Sequence, residues 1–145
     1  MQPVFVLAHS PSVGTSTRCP VAAHLAGGGT PGTGAVVAAH RRRRAALPAP
    51  RFVDAVCDDL RQVPADSTVR LVAHSNAGLF VPVIGVGLGH PVSGSVFVDA
   101  ALPAGAGPTP VASPELLHFL RPLAVHGRLP SWTDWWEKAD VAPAA

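Results

Sequence analysis

The stretch Val69-Arg-Leu-Val-Ala-His-Ser-Asn-Ala-Gly78 constrains the fold more than any other part of the chain. Its first half is largely apolar and β-branched, which reads as a buried strand. Helix-compatible sequence starts at once after Ser75 and continues through Ile84, with no loop between. A strand that reverses into a helix this tightly crowds the backbone around Ser75. Only small residues on either side make room, and Ala73, Ala77 and Gly78 supply them.

The rest of the chain repeats the same alternation. Pro3 to Ala8 reads as a strand buried on both faces, stopped by the turn-forming His9-Ser10-Pro11-Ser12-Val13-Gly14. Thr17 to Ala26 has helical spacing, with Ser16 or Thr17 as its expected N-cap. A glycine-rich loop covers Gly27 to Gly34, and Ala35 to Ala39 is a second strand candidate. Phe52, Val53, Val56, Leu60 and Val63 line one side of an amphipathic helix over Pro50 to Val63. Ser95 to Val98 is the strand after Ile84, ending at Asp99, and a helix is expected from Glu115 to about Ala124.

Strands alternating with helices predict the α/β class: a mostly parallel sheet with crossover helices in a three-layer α/β/α arrangement. At 145 residues the chain should form one domain, with 101–145 as a partial lid-like segment. Trp132, Trp135 and Trp136 fall at i, i+3 and i+4, one face of a helix that could join two copies of the chain.

Composition removes several functions. Hydrophobic residues at 48% against 14% charged describe a compact core, not a disordered tail. A net charge of +2 is too small to argue for a nucleic-acid partner. All basic residues but Lys138 are Arg, in a chain rich in Ala, Gly and Pro, so the Arg preference is read as codon bias without functional content. The run Arg41 to Arg44 is read as a solvated loop. No apolar run reaches the roughly 20 residues a membrane span needs, and there is no secretory h-region. With Cys19 and Cys57 too few for a disulfide framework, a cytoplasmic setting is expected. The glycine run lacks a Gly-Lys-Ser/Thr ending and follows a helix, so no nucleotide is expected. The seven His show no close pairs at ligand spacing; neither metal nor cofactor is expected.

What remains is the chemistry of Ser75. The turn raises its hydroxyl above the carboxyl edge of the sheet, where ligands of open α/β sheets bind. It also aims the Asn76 N–H at a developing oxyanion. Upstream, the first strand ends in His9-Ser10-Pro11; downstream, Val96-Phe-Val-Asp-Ala100 puts a carboxylate at a strand end. In that order these motifs resemble the α/β-hydrolase family, particularly small actinobacterial-type members, from residue 3 to about residue 136. The resemblance implies hydrolysis of an ester, thioester or similar small acyl substrate through an acyl-enzyme on Ser75. Asp99 would be the acid, and the N–H groups of Asn76 and Ser10 would form the oxyanion hole.

The sequence departs from the family in three places. The elbow carries Ala73 and Ala77 where G-x-S-x-G has glycine. Pro11, which has no N–H, stands at the family's usual second donor position, so the N–H of Ser10 or Ser12, or a serine hydroxyl, would have to serve. The strands that ordinarily bear the base are not evident after Asp99, and the fold is expected to be C-terminally incomplete. His118 and His126 follow Asp99 and are permitted by chain order as bases, whereas His74 is read as a packing residue. The alternative reading is a truncated, catalytically inactive remnant that serves as a binding or interaction domain.

Overall fold

The computed structural model describes residues 3–11, 18–27, 36–38 and 49–137. Its strands and α-helices are β1 (Val4–Ala8), α1 (Cys19–Ala26), β2 (Val36–Ala38), α2 (Ala49–Asp59), β3 (Val69–Ser75), α3 (Val81–Gly87), β4 (Val92–Ala100) and α4 (Pro114–Leu120). The four strands form one sheet in the order β2-β1-β3-β4, and every pairing is parallel. The predicted α/β class and crossover connections are therefore what the chain adopts. From β1 the chain steps one way to β2, then crosses back over β1 to β3 and on to β4. Right-handed crossovers in opposite directions put α1 on one face of the sheet and α2 with α3 on the other.

The second of these faces holds the main core. Val4, Val6 and Ala8 of β1 and Val69, Leu71 and Ala73 of β3 alternate toward it. Phe52, Val56 and Leu60 meet them at the four-residue spacing expected for α2, and Val81, Ile84 and Leu88 come from α3 and its end. The Phe52 and Phe80 rings pack at 5.3 Å with a 56° tilt, an arrangement worth about 0.5–1.5 kcal/mol beyond its buried area. On the opposite face Leu7 is buried, and the Arg70 guanidinium lies over the Phe5 ring, 5.8 Å from its centre.

Some elements differ from their sequence reading. α1 begins at Cys19 with Arg18 as its N-cap, and no side chain caps it. Pro20 in the first turn presets the helical φ there, which fixes the start after Ser16 and Thr17; those two residues lie outside the described set. So do most of the glycine loop (28–34), Ser12 and the basic run 40–44. β4 extends three residues earlier than Ser95 because Val69 N–H reaches the Pro91 carbonyl at 2.8 Å and Ser93 Oγ donates to the Val69 carbonyl at 3.0 Å.

The chain divides into two compact units, residues 1–109 and 110–145. In the second, Ser113 caps α4, its hydroxyl accepting from Leu116 N–H at 3.2 Å. The helix is shorter than predicted: a 3-10 turn covers Arg121–Leu123, and Val125 then pairs with Arg128 around His126 and Gly127, both at positive φ. The tryptophans do not share an α-helical face. Trp132–Trp135 is a 3-10 turn and Trp136 is extended. The Trp135 ring N–H is spent on the Pro130 carbonyl at 3.0 Å. Trp136 stacks on Phe119 at 5.4 Å and meets Trp132 edge-on at 6.4 Å.

Candidate active site

β3 runs through Ser75, and its last residue is its most unusual one. Ser75 has φ 53° and ψ −138°, a backbone region nearly closed to residues with a Cβ and costing on the order of 1–3 kcal/mol. Such a conformation lasts only where its surroundings leave no alternative. Ala73 and Ala77 on either side are buried. The 3-10 turn Asn76–Phe80 follows directly and feeds α3. A Cβ on Gly78 would run into the Ala101 carbonyl oxygen and come within 3.0 Å of the Ala100 Cβ, so only glycine lets the elbow lie this close to the end of β4. The Ala101 N–H closes the arrangement by donating to the Ser75 carbonyl at 3.2 Å.

Asp99 sits beside this turn. The β3–β4 register pairs His74 with Val98 and Ser75 with Ala100, which leaves Asp99 as the extra residue of a bulge. Its φ of 42° marks the same irregularity. Bulges re-aim side chains at strand ends, and the Asp99 carboxylate is near enough to His74 to favour the imidazolium form. Burial is the larger influence on His74, and with the positive charge of Arg18 it holds that imidazole below its ordinary pKa. The His74 Nδ1 is out of solvent, with no hydrogen-bond partner among the described residues.

The same edge receives the end of β1. Ala8 pairs with Ala73, which carries His9 and Ser10, both buried, toward His74 and Ser75. The His9 Nδ1 lies 2.7 Å from the Ser10 carbonyl; a carbonyl only accepts, so Nδ1 is the protonated nitrogen in this contact. Ser75, Asn76, Asp99 and Ser10 are thus gathered at the carboxyl edge. His118 and His126 belong to the second unit, where His118 lines a surface depression of about 360 Å³ with Leu117 and Arg121.

One residue at this edge has no counterpart in the sequence reading. Arg18 is only 6% exposed, and its Nη2 has no hydrogen-bond partner among the described residues. An Arg preference dismissed as codon bias hid it, and no local pattern announces that a charged residue will be buried. Among the described residues no group of three or more His, Cys, Asp or Glu could hold a metal ion. None of their helices is long and apolar enough to cross a membrane.

Comparison with solved structures agrees with this architecture. The chain is similar to an extracellular α/β-hydrolase from a Paenibacillus species, described as sharing structural and functional homology with tobacco salicylic acid binding protein 2. The TM-score is 0.55 at 18% sequence identity, over 70% of this chain. The match spans 42% of that structure's length. The likeness shows the fold, a partial α/β-hydrolase sheet. No family model matches the sequence, and no curated protein matches it.

Proposed function

We propose that the protein is a serine hydrolase of small acyl esters or thioesters, with Ser75 as nucleophile. The observation that carries this reading is the strained backbone of Ser75 on a tight strand-to-helix turn. Strain of this kind is retained where it positions a reacting group. Ser75 Oγ attacks the acyl carbonyl, its proton passes to a base, and the alcohol or thiol leaves with a proton; water then releases the acid. The N–H groups of Asn76 and Ser10 receive the oxyanion, and losing one such donor costs roughly 3–4 kcal/mol of transition-state stabilisation. Asp99, raised by its bulge beside the elbow, is the acid.

A second reading, a domain that binds acyl compounds without turning them over, is favoured by one observation. Among the described residues no hydrogen bond joins Ser75 Oγ to an imidazole. Catalytic hydrogen bonds often tighten only when substrate is present, so chemistry separates the two readings. A fluorophosphonate probe, which reacts with activated serines, is expected to label the wild-type chain and leave the Ser75→Ala variant unlabelled. Absence of label on the folded wild-type chain would sink the hydrolase and leave the binding domain.

A further inference from the structure

Arg18 is a buried cation with no ion-pair partner among the described residues. Guanidinium does not lose its proton in proteins, so burial cannot be relieved by neutralisation and is costly unless an anion is close by. The ion pair seen among the described residues, Arg61 with Asp58 at 2.9 Å, lies elsewhere on the surface of α2 and the turn after it. What Arg18 does contribute locally is backbone: its carbonyl accepts from Ala22 N–H at 2.8 Å as the first bond of α1. The side chain is left for something else.

Its place in the fold indicates what. α1 leaves the loop that follows β1, and in a parallel sheet that loop lies at the carboxyl edge, where Ser75 ends β3. Arg18 therefore stands at the positive end of a helix and on the reacting side of the sheet. His74, immediately before Ser75, has its pKa lowered by burial and by the charge of Arg18. The His74 Nδ1 is a second polar atom out of solvent with no partner among the described residues. One fixed cation matches a monoanion better than a dianion, and the flat fork of a guanidinium matches the two oxygens of a carboxylate.

We propose that Arg18 binds a carboxylate carried by the substrate, so that the site takes acyl esters bearing a free carboxylate, such as half-esters of dicarboxylic acids, in preference to neutral esters. The claim about substrate rests on the assignment of Ser75 as nucleophile; the carboxylate site itself does not.

The test uses the full 145-residue chain and a matched pair of probes, benzoate and its neutral isostere benzamide, titrated by NMR. The wild-type chain is expected to bind benzoate at least tenfold more tightly than benzamide. Ser75→Ala should keep that preference and Arg18→Met should lose it. Arg18→Met removes a buried charge that has no ion-pair partner among the described residues while keeping an unbranched side chain, so it is expected to fold and to melt no lower than the wild type. Should it fail to fold, the wild-type ratio decides alone. Equal binding of the two probes, tighter binding of inorganic phosphate than of benzoate, or a folded Arg18→Met that still discriminates would each overturn the proposal. A preference for benzoate with no fluorophosphonate label would keep the carboxylate site and remove the hydrolase. Label without the preference would do the reverse.

Discussion

β3 and β4 are neighbours, both rich in Val and both carrying a positive-φ residue at or next to the carboxyl end, yet their surroundings could hardly differ more. In β3 alternate residues are buried, with Leu71 at 2% exposure. It has a strand on each side and α2 with α3 across one face. β4 closes the sheet. Val92, Val96, Phe97 and Val98 are all exposed, Val96 at 44% and Phe97 at 39%. Successive residues of a strand point to opposite faces, so both faces of β4 are open. An apolar run thus fixes that a segment becomes a strand, while burial depends on what is laid against it. Natural edges are usually blunted with charge, proline or a twist, and β4 has such devices only near its two ends, in the register shifts at Ser93 and at Asp99.

Matched truncations put the largest strain on that contrast. Leu71→Ala should cost about 2–5 kcal/mol, as lost transfer energy and an unfilled cavity add. Val96→Ala, already half in water, should cost less than about 0.5 kcal/mol. Urea unfolding of each variant against the wild type measures the difference. If Val96→Ala proves as damaging as Leu71→Ala, β4 is covered in solution and the contrast collapses. A concentration-dependent midpoint in that case would identify a second copy as the cover.

A smaller effect is expected where the two strands meet. Gly78→Ala places a methyl group against the Ala101 carbonyl and the Ala100 Cβ, so either the elbow or the end of β4 must give way. Overpacking of this kind typically costs about 1–3 kcal/mol. Because the exposed strand is the looser partner, hydrogen exchange should quicken at Ala101, whose N–H donates to the Ser75 carbonyl, and stay slow within β3. Faster exchange spread evenly over β3 would show that the elbow, not the edge, is the weaker side.

The sequence made the alternation of strands and helices, the amphipathic face of α2 and the turn at Ser75 legible, because each is a matter of local periodicity and residue size. Other features depend on pairing between distant segments. The bulge at Asp99 exists only in the register against His74 and Ser75, and no residue in Val96-Phe-Val-Asp-Ala100 announces an unpaired position. Whether β4 is inside the sheet or at its rim is likewise settled by what pairs with it. The burial of Arg18 is the sharpest case. Charged side chains are almost never fully buried, so periodicity and composition both place it in solvent. The tryptophan face failed because the chain winds as a 3-10 turn through Trp135 and is extended at Trp136, instead of continuing as an α-helix.

The smallest expected effect concerns the two strained strand ends themselves. Ser75→Gly removes the Cβ that makes φ 53° and ψ −138° costly. It also gives the unfolded chain more freedom, a loss of about 0.5–1 kcal/mol that offsets part of the relief. The balance favours the variant by about 1 kcal/mol, so it should unfold at higher urea while taking no fluorophosphonate. At Asp99, where φ is 42°, the same substitution should gain less, since an exposed edge can relax around a strained residue as the packed elbow cannot. A Ser75→Gly chain less stable than the wild type would mean that the serine side chain makes a stabilising contact outweighing the strain. Equal gains at both positions would mean that β4 holds its end as rigidly as β3 does, despite its open faces.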